Sequence, residues 1–196
     1  MAQEKKVNEA NIASGAADLS FGMKFINPEA IIADLGIEEG MCIGDFGCGT
    51  GYFSFPLAKK VGQSGRVYSV DILKEKLEAV ESQAKVLGLN NLITKRANLE
   101  MVGGSKMADN SLDWICLVNM LFQNKKKNLV LEETARVLRL GGKVLVVEWK
   151  RESSLGPDKK LRISQDKLSE LALDCGMSLL REIQISNFHY GLILEK

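Results

Sequence analysis

Two hydrophobic rhythms take turns along this chain. Leu73, Leu77, Val80, Ala84 and Leu87 recur at spacings of 4, 3, 4 and 3 residues, which sets them on one face of a helix, and Gly88 follows as a C-cap. Asn27-Pro28-Glu29 reads as an N-cap, a proline at the first helical position and an acid in the first turn. That helix is predicted to reach about Leu35 and to stop at Gly36. Further helices are predicted from Tyr52 to Val61, from 125 to 138 with Gly141-Gly142 as the stop, and behind Ser164, where Leu168, Leu171, Ala172 and Cys175 form the apolar face and Gly176 lies past the end. Between them lie short continuous apolar runs, read as buried strands: Met41 to Phe46, Val67 to Val70, Leu112 to Val118 and Lys143 to Trp149, with a weaker one from Leu92 to Ala97. Two last strands, about 179–186 and 189–195, have too little chain between them for anything but an antiparallel hairpin.

Alternation of this kind predicts an α/β fold, a Rossmann-like three-layer sandwich with a seven-stranded, mostly parallel sheet and a C-terminal antiparallel hairpin strand. Residues 27–196 are expected to form the domain. Residues 1–26 begin polar and small and end in the patch Phe21, Met23, Phe25 and Ile26, which suits an N-terminal arm or lid.

Composition narrows the chemistry. A chain of 196 residues is one domain, and 26 basic against 25 acidic residues leave a formal charge of +1. Such a balance supplies no global field for nucleic acid or an anionic membrane. There is one histidine, His189, so metal sites built from several imidazoles are excluded and no metal is expected. The four cysteines, Cys42, Cys48, Cys116 and Cys175, show no CxxC pair, and three of them lie in apolar runs. No run approaches the ~18 apolar residues of a membrane span, and no signal peptide is evident. A reduced, cytoplasmic protein is expected.

The sharpest local signal is Asp45-Phe46-Gly47-Cys48-Gly49-Thr50-Gly51, directly after the first strand and before a helix. Glycines there let the backbone turn tightly and come close to a ligand. A dinucleotide fingerprint would put its third glycine where Tyr52 stands, which argues against a pyrophosphate. Asp71 ends the second strand. It can accept from the vicinal hydroxyls of a ribose or cap the helix that follows, and the two readings are compatible.

These stretches, together with Val67-Tyr68-Ser69-Val70-Asp71, Asp109-Asn110-Ser111-Leu112-Asp113 and Arg136-Val137-Leu138-Arg139-Leu140-Gly141-Gly142, resemble the class I S-adenosylmethionine-dependent methyltransferases. The likeness is to the type 11 group, which includes quinone-biosynthesis C-methyltransferases, and it covers about residues 27–195. It implies S-adenosyl-L-methionine as cofactor and S-adenosyl-L-homocysteine as product. Gly47, Cys48, Gly49, Thr50 and Gly51 would then lie under the methionine and ribose, and Asp45 would orient that loop and reach toward the amino group, directly or through water. Asp71 would bind the ribose hydroxyls and Ile72 would pack on the adenine. Asn98, followed by Leu99, stands where relatives carry an acid for the adenine amine; its amide oxygen can accept the same bond without charge. Asn119 and Met120 would offer backbone contacts to the methionine moiety. Many relatives have His where Gln123 stands, which removes one proton acceptor.

The acceptor side is less marked. The strand ends supply Gln123, Glu148, Trp149 and Lys150, and the last hairpin is expected to bring Phe188, His189 and Tyr190 to the mouth. Gln123, Glu148, His189 and Tyr190 are the candidates for catalytic work. No Asn-Pro-Pro-Tyr-like motif follows the fourth strand, and no cysteine pair sits at the strand ends, which argues against chemistry on nucleic-acid bases. A small organic acceptor is expected, with no nucleic-acid partner and no membrane span; a homo-oligomer is compatible. A non-catalytic S-adenosylmethionine-binding module, acting as a partner or sensor, would keep the same loop and acid and stays open as the alternative.

Overall fold

The computed structural model describes residues 25–196, so Phe21 and Met23 lie outside the described residues. In chain order the elements are α1 (Pro28–Ala33), β1 (Cys42–Phe46), α2 (Ser54–Val61), β2 (Arg66–Asp71), α3 (Lys74–Val86), β3 (Leu92–Arg96), β4 (Leu112–Val118), a 3-10 turn (Leu121–Gln123), α4 (Lys127–Val137), β5 (Leu138–Trp149), α5 (Gln165–Asp174), β6 (Ser178–Gln184) and β7 (His189–Glu195). The seven strands form one sheet in the order β3-β2-β1-β4-β5-β7-β6. The first five strands pair parallel, and β7 runs antiparallel between β5 and β6.

The two rhythms of the sequence explain the layers. Val144 and Val146 of β5 belong to one apolar cluster, with Leu117 and with Val130, Leu131, Leu168 and Ala172 of α4 and α5. Leu145 and Val147 belong to another, with Ile43, Val67 and Trp114 and with Ile32, Leu57 and Val61 of α1 and α2. A strand covered on both faces reads as a continuous apolar run because successive side chains point to opposite sides. Ile26, assigned to the arm by the sequence, is 2% exposed and sits in the second cluster.

Both anticipated N-caps form: Asn27 Oδ1 accepts from Ala30 N at 3.0 Å and Ser164 Oγ from Lys167 N at 3.3 Å. α2 starts two residues later than its pattern suggested, because Tyr52 and Phe53 still belong to the loop before it. The larger correction concerns Gly141-Gly142. They do not stop a helix. α4 ends at Val137, Leu138 already pairs with Leu112, and the register then jumps to Trp114 opposite Lys143. The glycines sit in that bulge, with Gly141 at φ 72° and Gly141 N donating to Lys196 O at 2.8 Å.

The strand order reverses between β1 and β4, which lie side by side while their successors lead to opposite halves of the sheet. At such a switch point the loops leaving the carboxyl ends diverge and leave a crevice.

Candidate functional site

A cavity of about 370 Å³ lies at this switch point, within the ~300–1,000 Å³ typical of small-molecule sites. Gly47 and Gly49 floor it after β1; Asp71, Ile72, Leu73 and Lys76 stand along the β2–α3 side, Ala97, Asn98 and Leu99 after β3, and Met120, Gln123 and Asn124 after β4.

The glycine loop is folded back onto the end of β2. Gly47 N and Cys48 N both donate to Val70 O, at 2.7 and 3.0 Å, and Gly49 N donates to Asp71 Oδ2 at 3.0 Å. The other carboxylate oxygen, Oδ1, accepts from Leu73 N at 2.9 Å and so ties the entry to α3. Asp71 therefore braces loop and helix while remaining in the cavity wall, each oxygen keeping a lone pair for a further donor.

Gly49 has φ 54°, a conformation that disfavours a side chain, and a Cβ added there would meet no atom within 4 Å. That open space is the cavity. A Cβ at Gly51 would instead stand 2.8 Å from the Phe55 ring and 3.2 Å from Val80, so this glycine lets the loop close onto α2 and α3. Cys48 points the same way and packs with Leu77 and Val80; burial, with Asp45 and Asp71 nearby, pushes its thiol far above the ordinary range. Thr50 is exposed at the tip.

Asp45 turns inward, away from the cavity. It is 3% exposed, its Oδ2 accepts from Ser54 Oγ at 2.5 Å, and Ser54 Oγ in turn accepts from Ser69 Oγ at 2.8 Å. This chain pins β1, β2 and the first residue of α2 together beneath the loop. Burial, opposed by the Ser54 bond and reinforced by Asp71, raises its carboxyl to about 6.

On the adenine side proposed by the resemblance, Asn98 lines the cavity and its Oδ1 accepts from Glu100 N at 2.9 Å. Leu99 is buried beside it. The following loop is held by Glu133, whose carboxylate accepts from Gly103 N at 2.5 Å and Ser105 N at 3.0 Å and pairs with Arg136 at 2.8 Å. Burial alone would raise that carboxyl; Arg136, Ser105 and the amides hold it down at about 2. Ile72 is 54% exposed at the rim.

After β4 the chain takes a left-handed step at Asn119, φ 50°. Asn119 O accepts from Gln123 Nε2 at 3.0 Å, and Met120 O from Asn124 Nδ2 at 2.8 Å. Asn119 Nδ2 lies 3.2 Å from His189 Nε2. The other ring nitrogen, Nδ1, lies 3.1 Å from Ser186 Oγ. His189 is fully buried and lies against Trp149, ring centroids 4.1 Å apart. Burial, with Lys150 nearby, lowers its pKa to about 4, so the ring is neutral near pH 7.

Tyr190, expected at the mouth, faces the opposite side of the sheet from His189, as successive strand residues must. It is 5% exposed and its hydroxyl donates to Ile163 O at 3.0 Å. Glu148 pairs across the strands with Tyr190 and is fully buried. Phe188, the third residue expected at the mouth, packs its ring on Phe25 at 4.7 Å. Of the four candidates for catalytic work, Gln123 alone stands in the cavity wall.

Leu73, Lys76, Ala97 and Asn124 escaped the sequence reading. Lys76 carried one usable signal, its place one turn into α3 behind Asp71. A second surprise is Arg162, 8% exposed, which donates to the carbonyls of Lys150, Arg151, Ser153, Leu155 and Pro157 and so gathers the β5–α5 loop around itself. That loop brings Gly156 against the Trp149 ring so closely that a Cβ would stand 2.4 Å from it.

Among the described residues no group of three or more His, Cys, Asp or Glu side chains could hold a metal, and no helix is long and apolar enough to cross a membrane.

Sheet order, glycine loop and carboxylate at the switch point define a doubly wound α/β protein with a small-molecule-sized cavity at the carboxyl ends of its strands. Residues 37–190 match the methyltransferase-domain family, and the chain belongs to it. It is 32% identical to a demethylmenaquinone methyltransferase of Oceanobacillus iheyensis over 126 residues, 62% of this chain and 50% of that protein. It is also 32% identical to a ubiquinone/menaquinone biosynthesis C-methyltransferase of Haemophilus ducreyi over 134 residues, 68% of this chain and 51% of that protein. The chain thus spans about half the length of the curated relatives it matches. In fold it is similar to a SAM-dependent methyltransferase from Aquifex aeolicus, with a TM-score of 0.80 at 24% identity over 88% of this chain and 90% of that one.

Proposed function

We propose that the protein is an S-adenosylmethionine-dependent methyltransferase that acts on a small organic acceptor in the cytoplasm. The observation that carries the reading is the empty space in front of Gly49 beside the Asp71 carboxylate. A side chain at Gly49 would fill that cradle, and the carboxylate offers free lone pairs to vicinal hydroxyls there. The residues present fit the cofactor. Asp71 would take the ribose, Ile72 and Leu99 the faces of the adenine, the Asn98 amide its exocyclic amine, and Gly47 and Met120 the methionine end. When bound, the cofactor supplies an activated methyl group for in-line displacement.

The protein's own part is orientation and exclusion of water. Asp45, expected to reach the amino group, supports the loop from beneath through Ser54. His189 has both ring nitrogens in hydrogen-bond distance of other side chains, and Glu148 and Tyr190 stand outside the cavity wall. The demethylmenaquinone methyltransferase among the relatives makes demethylmenaquinone the first acceptor to try, and four free thiols among the described residues suit a reducing compartment.

Calorimetric titration with S-adenosylmethionine and with NAD tests the cofactor. Binding of NAD without S-adenosylmethionine overturns the assignment. A screen of acceptors for release of S-adenosylhomocysteine then tests turnover, and tight binding with no release across small organic acceptors identifies a binding module instead.

A further inference from the structure

The wall segment from Met120 to Asn124 is tied to the sheet by one buried carboxyl group. Glu148, the penultimate residue of β5, turns its Oε1 to the start of the 3-10 turn and accepts from Leu121 N at 2.7 Å and Phe122 N at 3.4 Å. The side chains of Leu121 and Phe122 are buried, and Met120, Gln123 and Asn124 of the same segment line the cavity. Glu148 is 0% exposed, and its Oε2 has no hydrogen-bond partner among the described residues. A buried carboxyl group with only one oxygen hydrogen-bonded is costlier ionised than neutral.

The surroundings do not compensate. Glu148 shares its face of β5 with Val144 and Val146, in the cluster that also holds Leu117, Val130 and Leu192. From β7 it meets Tyr190, whose phenol is pushed up by burial first and by Glu148 second; from α4 Lys127 acts in favour of the charge. His189, on the other face of β7, is neutral near pH 7.

We propose that Glu148 is a positioning residue that couples the seating of the Met120–Asn124 segment, and through it cofactor binding, to uptake of a proton. This rests on the reading of the cavity as the cofactor site. The sign follows from linkage. With the segment seated, burial raises the carboxyl from 4.5 to about 7, against the pull of the Leu121, Phe122 and Trp149 amides and of Lys127. With the segment lifted, water reaches the carboxyl and its ordinary value returns. The proton therefore favours the seated form, and the preference fades as pH rises through about 7.

The test is the affinity for S-adenosylhomocysteine by calorimetry, from about pH 5.5 to about pH 8.5, for the wild type and for Glu148→Gln. A glutamine keeps an oxygen for the two amides and cannot ionise. The wild type is expected to bind about fivefold or more weakly at the alkaline end, and the variant to stay near the wild type's acid limb throughout. Asp45, raised to about 6, is present in both proteins and so cancels from the comparison. Amide hydrogen exchange at Leu121 and Phe122, corrected for its intrinsic pH dependence, reads the same seating without ligand and without a mutation. Protection should fall through about pH 7 in the wild type. A wild type and variant with the same pH profile, or wild-type protection unchanged across that range, overturns the proposal. Wild-type protein that binds no S-adenosylhomocysteine at any pH yet shows the exchange profile overturns the cofactor reading and the link to binding, and leaves Glu148 as a proton-dependent anchor of the segment.

Discussion

Gly49 and Gly51 separate the two demands made on the glycine loop, ligand approach and packing. Gly49→Ala places a methyl group in space with no atom within 4 Å, on a backbone at φ 54°. The fold therefore loses only the left-handed strain, about 1–2 kcal/mol. The methyl group, however, stands in the cavity next to the amide that bonds Asp71 Oδ2. Binding of S-adenosylhomocysteine should weaken at least about tenfold, equivalent to about 1.4 kcal/mol, and the branched Gly49→Val should abolish it. Gly51→Ala carries the same kind of strain at φ 87°, and its Cβ overlaps the Phe55 ring at 2.8 Å and presses on Val80 at 3.2 Å. Overpacking adds about 1–3 kcal/mol, so stability falls by about 2–5 kcal/mol. The molecules that remain folded keep most of their affinity. Urea denaturation gives one axis and calorimetry the other. If Gly49→Ala binds like the wild type, or if both variants lose stability and affinity in parallel, the loop does not present Gly49 to the ligand and the argument fails.

Asp71→Ala should cost about 1.5–3 kcal/mol of binding, the range for hydrogen bonds to a charged group, and about 1 kcal/mol of stability from the freed Gly49 and Leu73 amides; unchanged affinity in the folded variant would reduce Asp71 to a helix brace. Glu133→Ala strips the Gly103 and Ser105 amides of their acceptor and removes one of the two carboxylates on Arg136, which keeps Asp109; denaturation should show a loss of about 2 kcal/mol, with a loss under about 0.5 kcal/mol counting against the network. Glu148 has its folded-state value raised from 4.5 to about 7, so its contribution is complete below the lower value and is lost as pH rises through the upper one. That amounts to about 3 kcal/mol. His189, lowered from 6.5 to about 4, works in the opposite sense over its own window, so the measurement is the difference between wild type and Glu148→Gln. The variant should gain about 3 kcal/mol on the wild type between acid and mildly alkaline pH, and parallel stability curves would contradict the burial argument.

Short-range signals in this chain were legible because a few neighbouring residues decide them. Leu77, Val80 and Ala84 on the buried face of α3, the Asn27 and Ser164 caps and the glycine loop before α2 all depend on contacts within one or two turns, whereas Leu73 and Leu87, expected on the same face, flank the helix and are exposed. Asp71 was readable for the same reason, as an acid at a strand end with a helix behind it. So was the hairpin, where four residues between β6 and β7 leave no room for a crossover.

Where the sequence reading left a role open or misplaced it, distant segments held the answer. Gly141-Gly142 carries the same local signature whether it stops a helix or fills a bulge; pairing with β4 and with Lys196 chose the bulge. Asp45 sits beside the glycines in sequence, yet Ser54 and Ser69, which draw it inward, meet it only once β1, β2 and α2 are packed. His189 and Tyr190 are neighbours whose roles diverge because the register with Trp149 and Glu148 assigns them to opposite faces. Lys76 and Asn124 come to one cavity because the strand order reverses between β1 and β4. Local patterns specify elements through side-chain period and backbone preference, whereas strand pairing and burial act between residues far apart in the chain. Those long-range terms decided which polar groups became supports beneath the site and which remained in its wall.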